Sequence, residues 1–139
     1  MIFTNLISLF VTVVAVVATP IQPQQLDVIS PAITSPNATA RWTLGSTQRV
    51  VWETSKIPPS FATNRGMLVL GHLSTYTDSE GEQRVSENLN YTHPLASGFQ
   101  IGAGSYDVVV PLDAPPRKDY IIVLFGDSGN RSPTFEIRK

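Results

Sequence analysis

The groups in this chain that could do chemistry are few, and most are better read as turns and surface. Gly126-Asp127-Ser128-Gly129 can hold a nucleophilic serine, and His72, His93, Asp113 and Asp119 precede it in an order that a Ser-His-Asp relay permits. Such a relay needs a base hydrogen-bonded beside the serine and donors aimed at the oxyanion. A small domain of short strands lacks the paired barrels that assemble them. The expectation is therefore an Asp/Gly turn between two strands, in which Asp127 and Asn130 accept hydrogen bonds from backbone N–H groups. Glycoside hydrolysis needs two carboxyl groups roughly 5–9.5 Å apart across a sugar, one of them raised in pKa by an apolar setting. Asp78, Glu80, Glu82 and Glu87 sit instead in a polar stretch, residues 74–90 (STYTDSEGEQRVSENLN), and read as a solvated face.

Metal chemistry finds no better footing. His72 and His93 are far apart, with no accompanying ligand pattern. The chain has no cysteine, which excludes disulfides, thiolate catalysis and sulfur-ligated zinc. No catalytic residue, cofactor or metal is expected. The side chains best suited to a ligand are aromatic, because a flat ring flanked by polar groups stacks on the face of a sugar. Tyr76 and Tyr91, in and beside the polar stretch, are the expected glycan contacts. Trp42, before a tight Thr43-Leu44-Gly45 turn, is a third candidate, divided between a lid on the core and partial exposure. Trp52 shares a strand face with Val50, opposite Val51 and Glu53, and is expected in the core.

The elements that must position these groups are strands. Residues 26–29, 48–53, 67–73, 99–101 with their neighbours, 105–110, 120–125 and 134–137 are short β-branched or aromatic runs bounded by Pro, Gly, Ser, Asn and Asp, and no stretch sustains a helical period. Their spacing predicts an all-β, two-sheet antiparallel sandwich of about seven strands. Pro31, Pro36, Pro111, Pro115 and Pro116 cannot donate to a ladder and mark edges and crossovers. The 74–90 stretch is expected as an exposed loop or ragged edge hairpin.

The amino terminus adds a destination. Residues 6–18 (LISLFVTVVAVVA) form an apolar run that Asn5 bounds at one end and Pro20, Gln22 and Pro23 at the other. That is shorter than the ~20 residues of a membrane span and suits a secretion signal cleaved after Ala18, although residues 1–5 carry no Lys or Arg. The organisation read from the chain is a signal at 1–18, a linker at 19–25 and one domain at 26–139. After cleavage no stable membrane insertion is expected. About 120 residues remain, enough to bury roughly two-thirds of the surface of the unfolded chain. Net charge is −1, with no basic stripe to bind nucleic acid or an anionic membrane face. Asn37-Ala38-Thr39 and Asn90-Tyr91-Thr92 are N-glycosylation acceptors, so Asn37 and Asn90 are expected at the surface. Asn130-Arg131-Ser132 is a poorer acceptor because Pro133 follows it.

Five stretches carry a family resemblance: Ile33-Thr34-Ser35-Pro36, Trp42-Thr43-Leu44-Gly45, Val50-Val51-Trp52, GSYDVVVP at 104–111 and DYIIVLFGDSGNRSPTFEI at 119–137. Together they resemble the fungal cell-wall-synthesis domain, the amino-terminal module of the yeast killer-toxin-resistance wall proteins, which recurs in the Ser/Thr-rich GPI-anchored membrane family. The resemblance covers about residues 26–137. It implies an immunoglobulin- or fibronectin-III-like sandwich that is extracellular and wall-associated, linked in some members to β-1,6-glucan assembly, with no catalytic residues to carry over. Members often continue into a Ser/Thr-rich stalk and a hydrophobic GPI signal. This sequence stops at Phe135-Glu136-Ile137-Arg138-Lys139 with neither, and a free secreted form is expected. The functional expectation is a non-catalytic secreted or wall-associated module whose partner is wall polysaccharide or a wall protein. The alternative is a small secreted protein-interaction or structural factor without glycan affinity.

Overall fold

A computed structural model of the chain describes residues 29–126 and 129–139. The expected signal, the linker, most of the strand expected at 26–29, and Asp127 and Ser128 lie outside the described residues. The described strands are β1 (Ile33–Ser35), β2 (Arg41–Thr43), β3 (Thr47–Trp52), β4 (Arg65–His72), β5 (Ser74–Thr77), β6 (Gln83–Ser86), β7 (Ala96–Gln100), β8 (Ser105–Val109), β9 (Arg117–Phe125), β10 (Gly129–Arg131) and β11 (Phe135–Arg138). A single helical turn, α1 (Pro59–Ala62), precedes β4, and a 3-10 turn over Ile101–Ala103 precedes β8.

The fold is an all-β sandwich. One sheet has the order β1-β3-β8; the larger has the order β2-β11-β9-β4-β7, with β10 paired to the far end of β9. Alternation along the strands sends one set of side chains between the sheets. Val50 and Trp52 of β3 and Val108 of β8 meet Leu68 and Leu70 of β4, Tyr120, Ile122 and Leu124 of β9, and Phe135 and Ile137 of β11. Trp52 is buried as its spacing predicts. Its indole Nε1 donates to the Ile101 carbonyl at 2.7 Å and its ring lies 5.4 Å from that of Phe99.

Several details differ from the sequence reading. One pairing is parallel: β2 runs alongside β11 with Trp42 opposite Ile137, so the sandwich is not wholly antiparallel. Eleven strands are described where about seven were expected: β1, β2 and β10 span three residues each, too few to show a period, and β5 and β6 form a hairpin within 74–90. Ile101 opens the 3-10 turn instead of ending a strand, and Gly104, at φ +76°, closes that turn in a left-handed conformation. Asn130 also serves a contact that its turn role did not include. Its Nδ2 donates, reaching the Pro31 carbonyl at 2.6 Å and tying β10 to the chain before β1.

The β4–β9 pair is covered on its second face as well. Val69, Ile121 and Val123 point away from the inter-sheet core yet are almost fully buried. Residues 87–91 lie against this face and end on the β4 edge. The Asn90 N–H donates to the Leu70 carbonyl at 3.0 Å, Asn88 Nδ2 donates to the His72 carbonyl at 2.8 Å, and the Tyr91 ring lies 5.6 Å from that of Phe125. Gly71 makes this possible: a Cβ there would collide with the Glu87 carbonyl oxygen and stand 2.6 Å from Leu89 Cδ2. Gly71→Ala is therefore expected to lower stability by about 1–3 kcal/mol, measured by urea unfolding, with altered hydrogen exchange at the Asn90 amide.

Candidate functional site

Residues 74–90 fold as a hairpin followed by the covering segment, not as an open loop. β5 and β6 pair with Tyr76 opposite Arg84, and the turn between them is organised by one carboxylate. Asp78 Oδ1 accepts the backbone N–H groups of Glu80 and Glu82, both at 2.9 Å. Its Oδ2 accepts from Arg84 Nε at 2.8 Å. Gly81 supplies the positive φ of the turn, +82°. The Arg84 guanidinium, followed by the backbone N–H of Glu82, holds the Asp78 carboxyl below the usual carboxylate range.

This hairpin and the covering segment together form an open cleft of about 440 Å³ lined by Tyr76, Val85, Ser86, Glu87, Asn88, Leu89 and Tyr91. Both tyrosines are more than half exposed, at 53% and 57%. Each is held by a different device. Tyr76 rides on a strand fixed by the Asp78 turn, whereas Tyr91 rests on Phe125. Glu87 lines the cleft and pairs with Arg131 of β10 at 3.4 Å. The cleft thus offers two exposed rings with a carboxylate and an amide beside them, groups that can meet a sugar's C–H face and hydroxyl edge.

Trp42 is not part of it. It is 5% exposed with its ring 4.7 Å from that of Phe135, because β2 is paired into the large sheet with Trp42 turned to the core; it is withdrawn as a glycan contact. The acidic candidates separate too: Asp78 is committed to its turn and Glu87 to Arg131. Asp119 accepts from Arg117 at 2.7 and 3.0 Å, which holds its carboxyl below the usual range. His72 ends β4 with its ring edge-on to Tyr120 at 6.4 Å, while His93 contacts Thr92 Oγ1 at 3.0 Å.

Asn37 and Asn90 are exposed. In each, the side-chain oxygen accepts the hydroxyl of the Thr two residues on, at 2.7 Å from Thr39 and 3.0 Å from Thr92. The third acceptor is built into the fold. Ser132 is 4% exposed, its Oγ accepting the Ile122 N–H at 2.9 Å and donating to the Pro133 carbonyl at 2.9 Å.

Two further hollows were not legible in the sequence, because their walls come from distant segments. An apolar one of about 450 Å³, lined by Ile29 to Ala32, Glu53 and Lys56 to Pro58, borders the point where the chain enters the described residues. A smaller one of about 250 Å³ opens between the sheets beside His72, Asn88, Asn90, Asp113 and Tyr120. Among the described residues no group of three or more His, Asp or Glu is placed to hold a metal ion. No protein-family model, curated protein or solved structure matches the chain.

The Asp78 turn sets a pH response. A carboxyl whose folded pKa is lowered contributes stability that is present above its unfolded value of about 3.9 and lost as pH falls through the folded value. Amide exchange across residues 77–83 should therefore stay slow from neutral pH to about 4 and accelerate below it. Asp78→Asn should remove that acid step, as followed by NMR.

Proposed function

We propose that this chain is an extracellular, wall-associated, non-catalytic module that binds wall glycan, β-glucan first among the candidates, through the cleft between Tyr76 and Tyr91. The observation that carries the reading is the convergence of two exposed tyrosines, fifteen positions apart by number (91 − 76), on one concavity rimmed by Glu87 and Asn88. The resemblance to fungal wall-synthesis domains supports the wall setting, and the two facing sheets suit the immunoglobulin- or fibronectin-III-like sandwich that it implies. Secretion is supported by the apolar run at 6–18 and by the two exposed acceptor asparagines.

A second reading is a protein-interaction module without glycan affinity. It draws on Val109 and Leu112, apolar residues 60% and 79% exposed at one end of the smaller sheet. Sedimentation with insoluble glucan separates the two. Under the first reading the protein co-sediments with β-1,3- or β-1,6-glucan, and Tyr76→Ala or Tyr91→Ala each weakens retention about 3–10-fold, the loss of one stacking contact. Retention that is absent, or unchanged in both variants, would sink it. Because Tyr91 also packs on Phe125, thermal unfolding of each variant accompanies the assay.

Secretion carries its own expectation. Glycopeptide mass spectrometry of protein secreted from a eukaryotic host should show a glycan on Asn37 and none on Asn130, whose amide is bonded to Pro31 and whose partner Ser132 is buried.

A further inference from the structure

The inter-sheet pocket has the chemistry of a second carbohydrate site. Its walls come from three places: the end of β4 at Leu70–His72, the covering segment at Asn88 and Asn90, and the β8–β9 connection at Pro111–Pro115, with Tyr120 behind. Three polar side chains bring unused capacity to it. Among the described residues, Asp113 has no ion pair or hydrogen bond. The His72 ring makes no hydrogen bond among the described residues; it lies edge-on to Tyr120 and acts electrostatically on Asp119. Asn90 accepts from Thr92 through Oδ1, which leaves its Nδ2 free to donate. A carboxylate acceptor, an imidazole and an amide donor thus share a hollow whose remaining wall, Leu70, Pro111, Ala114 and Pro115, is apolar.

The walls are held in place before any ligand arrives, which lowers the ordering cost of binding. Asn88 Nδ2 donates to the His72 carbonyl and to Ser74 Oγ, both at 2.8 Å. The Tyr120 hydroxyl donates to the Pro115 carbonyl, and the two prolines fix φ in the connection. At about 250 Å³ the pocket is smaller than the roughly 300–1,000 Å³ hollows that take drug-sized ligands, so it suits one ring and not a length of chain. Asn88 also lines the tyrosine cleft, so the pocket and the cleft are neighbours.

We propose that this pocket takes a single neutral pyranose ring, the end of a glucan chain, with ring hydroxyls on Asp113, His72 and Asn90 and its C–H face on the prolines. The inference rests on the glycan-binding reading and makes the module a reader of chain ends. The unpaired Asp113 carboxylate disfavours anionic sugars through like-charge repulsion. A glycan attached to Asn90 Nδ2 removes one donor and obstructs the pocket.

The test is NMR titration of the full chain, made in bacteria so that Asn90 is unmodified, with a β-1,3-linked glucose disaccharide, a β-1,6-linked one and glucuronic acid. One of the disaccharides is expected to give saturable shifts of the His72 ring and of the Asn88, Asn90 and Asp113 amides, and glucuronic acid none. Asp113→Ala should weaken that binding at least about tenfold, the loss of one charge-assisted hydrogen bond, without changing thermal unfolding. Tyr76→Ala should leave it intact while lowering retention on insoluble glucan. Protein carrying a glycan on Asn90 should lose the shifts. Absence of saturable shifts with both disaccharides, indifference to Asp113→Ala, or equal response to glucuronic acid overturns the pocket; if retention on glucan persists in that case, the tyrosine cleft stands without it. Saturable pocket shifts with no retention on insoluble glucan would instead overturn the cleft reading and, with it, chain-end binding.

Discussion

Burial of the β4–β9 ladder on both faces is the constraint on which the remaining structure depends. β9 presents Tyr120, Ile122 and Leu124 to one side and Ile121 and Val123 to the other, and β4 does the same with Leu68 and Leu70 against Val69. A strand whose two faces are both apolar must be covered twice. The smaller sheet covers the first face. Among the described residues, 87–91 lie against the other, laid across the bare backbone of Gly71. Without cysteines to staple it, the domain relies on this layering for its stability.

The candidate site is a by-product of that solution. A covering segment must run flat over the ladder, so it turns Leu89 to the sheet and leaves Tyr91 resting on Phe125 with its outer surface in solvent. Before it can arrive, the chain has to leave β4 and return, and the β5–β6 hairpin makes that excursion with Tyr76 on its first strand. The two tyrosines converge because the hairpin and the segment are consecutive parts of one detour. Its far side, past Asn88 and Asn90, closes the inter-sheet pocket against the proline-rich connection. One local packing requirement thus shapes two neighbouring concavities of different character.

Polar groups at these junctions are matched closely. Ser132 supplies a donor and an acceptor at a turn where Pro133 has no N–H to give. Among the described residues no buried side-chain nitrogen or oxygen lacks a hydrogen-bond partner. The ion pairs, Arg41–Glu136, Arg49–Asp107, Arg84–Asp78, Arg117–Asp119 and Arg131–Glu87, lie toward solvent. There screening keeps each worth little in stability. Their effect is to fix side chains, as Asp78 fixes its turn and Glu87 its place on the cleft.

The sequence by itself determined what depends on neighbouring residues. Alternation in 48–53 put Val50 and Trp52 on one buried face, the apolar run at 120–125 predicted a strand, and the polar composition of 74–90 put Tyr76 in it and Tyr91 beside it at the surface. Composition also excluded sulfur chemistry, since that needs no geometry to decide. Tertiary structure alone decided the fate of Trp42, because a three-residue strand has no period and its burial comes from parallel pairing with β11, far along the chain. It alone decided that Asn130 reaches the Pro31 carbonyl, that Asn90 and Asp113 share a pocket, and that Gly71 is the bed of a covering segment. Each of these is a contact between residues distant in sequence, and periodicity carries no information about which distant segments meet.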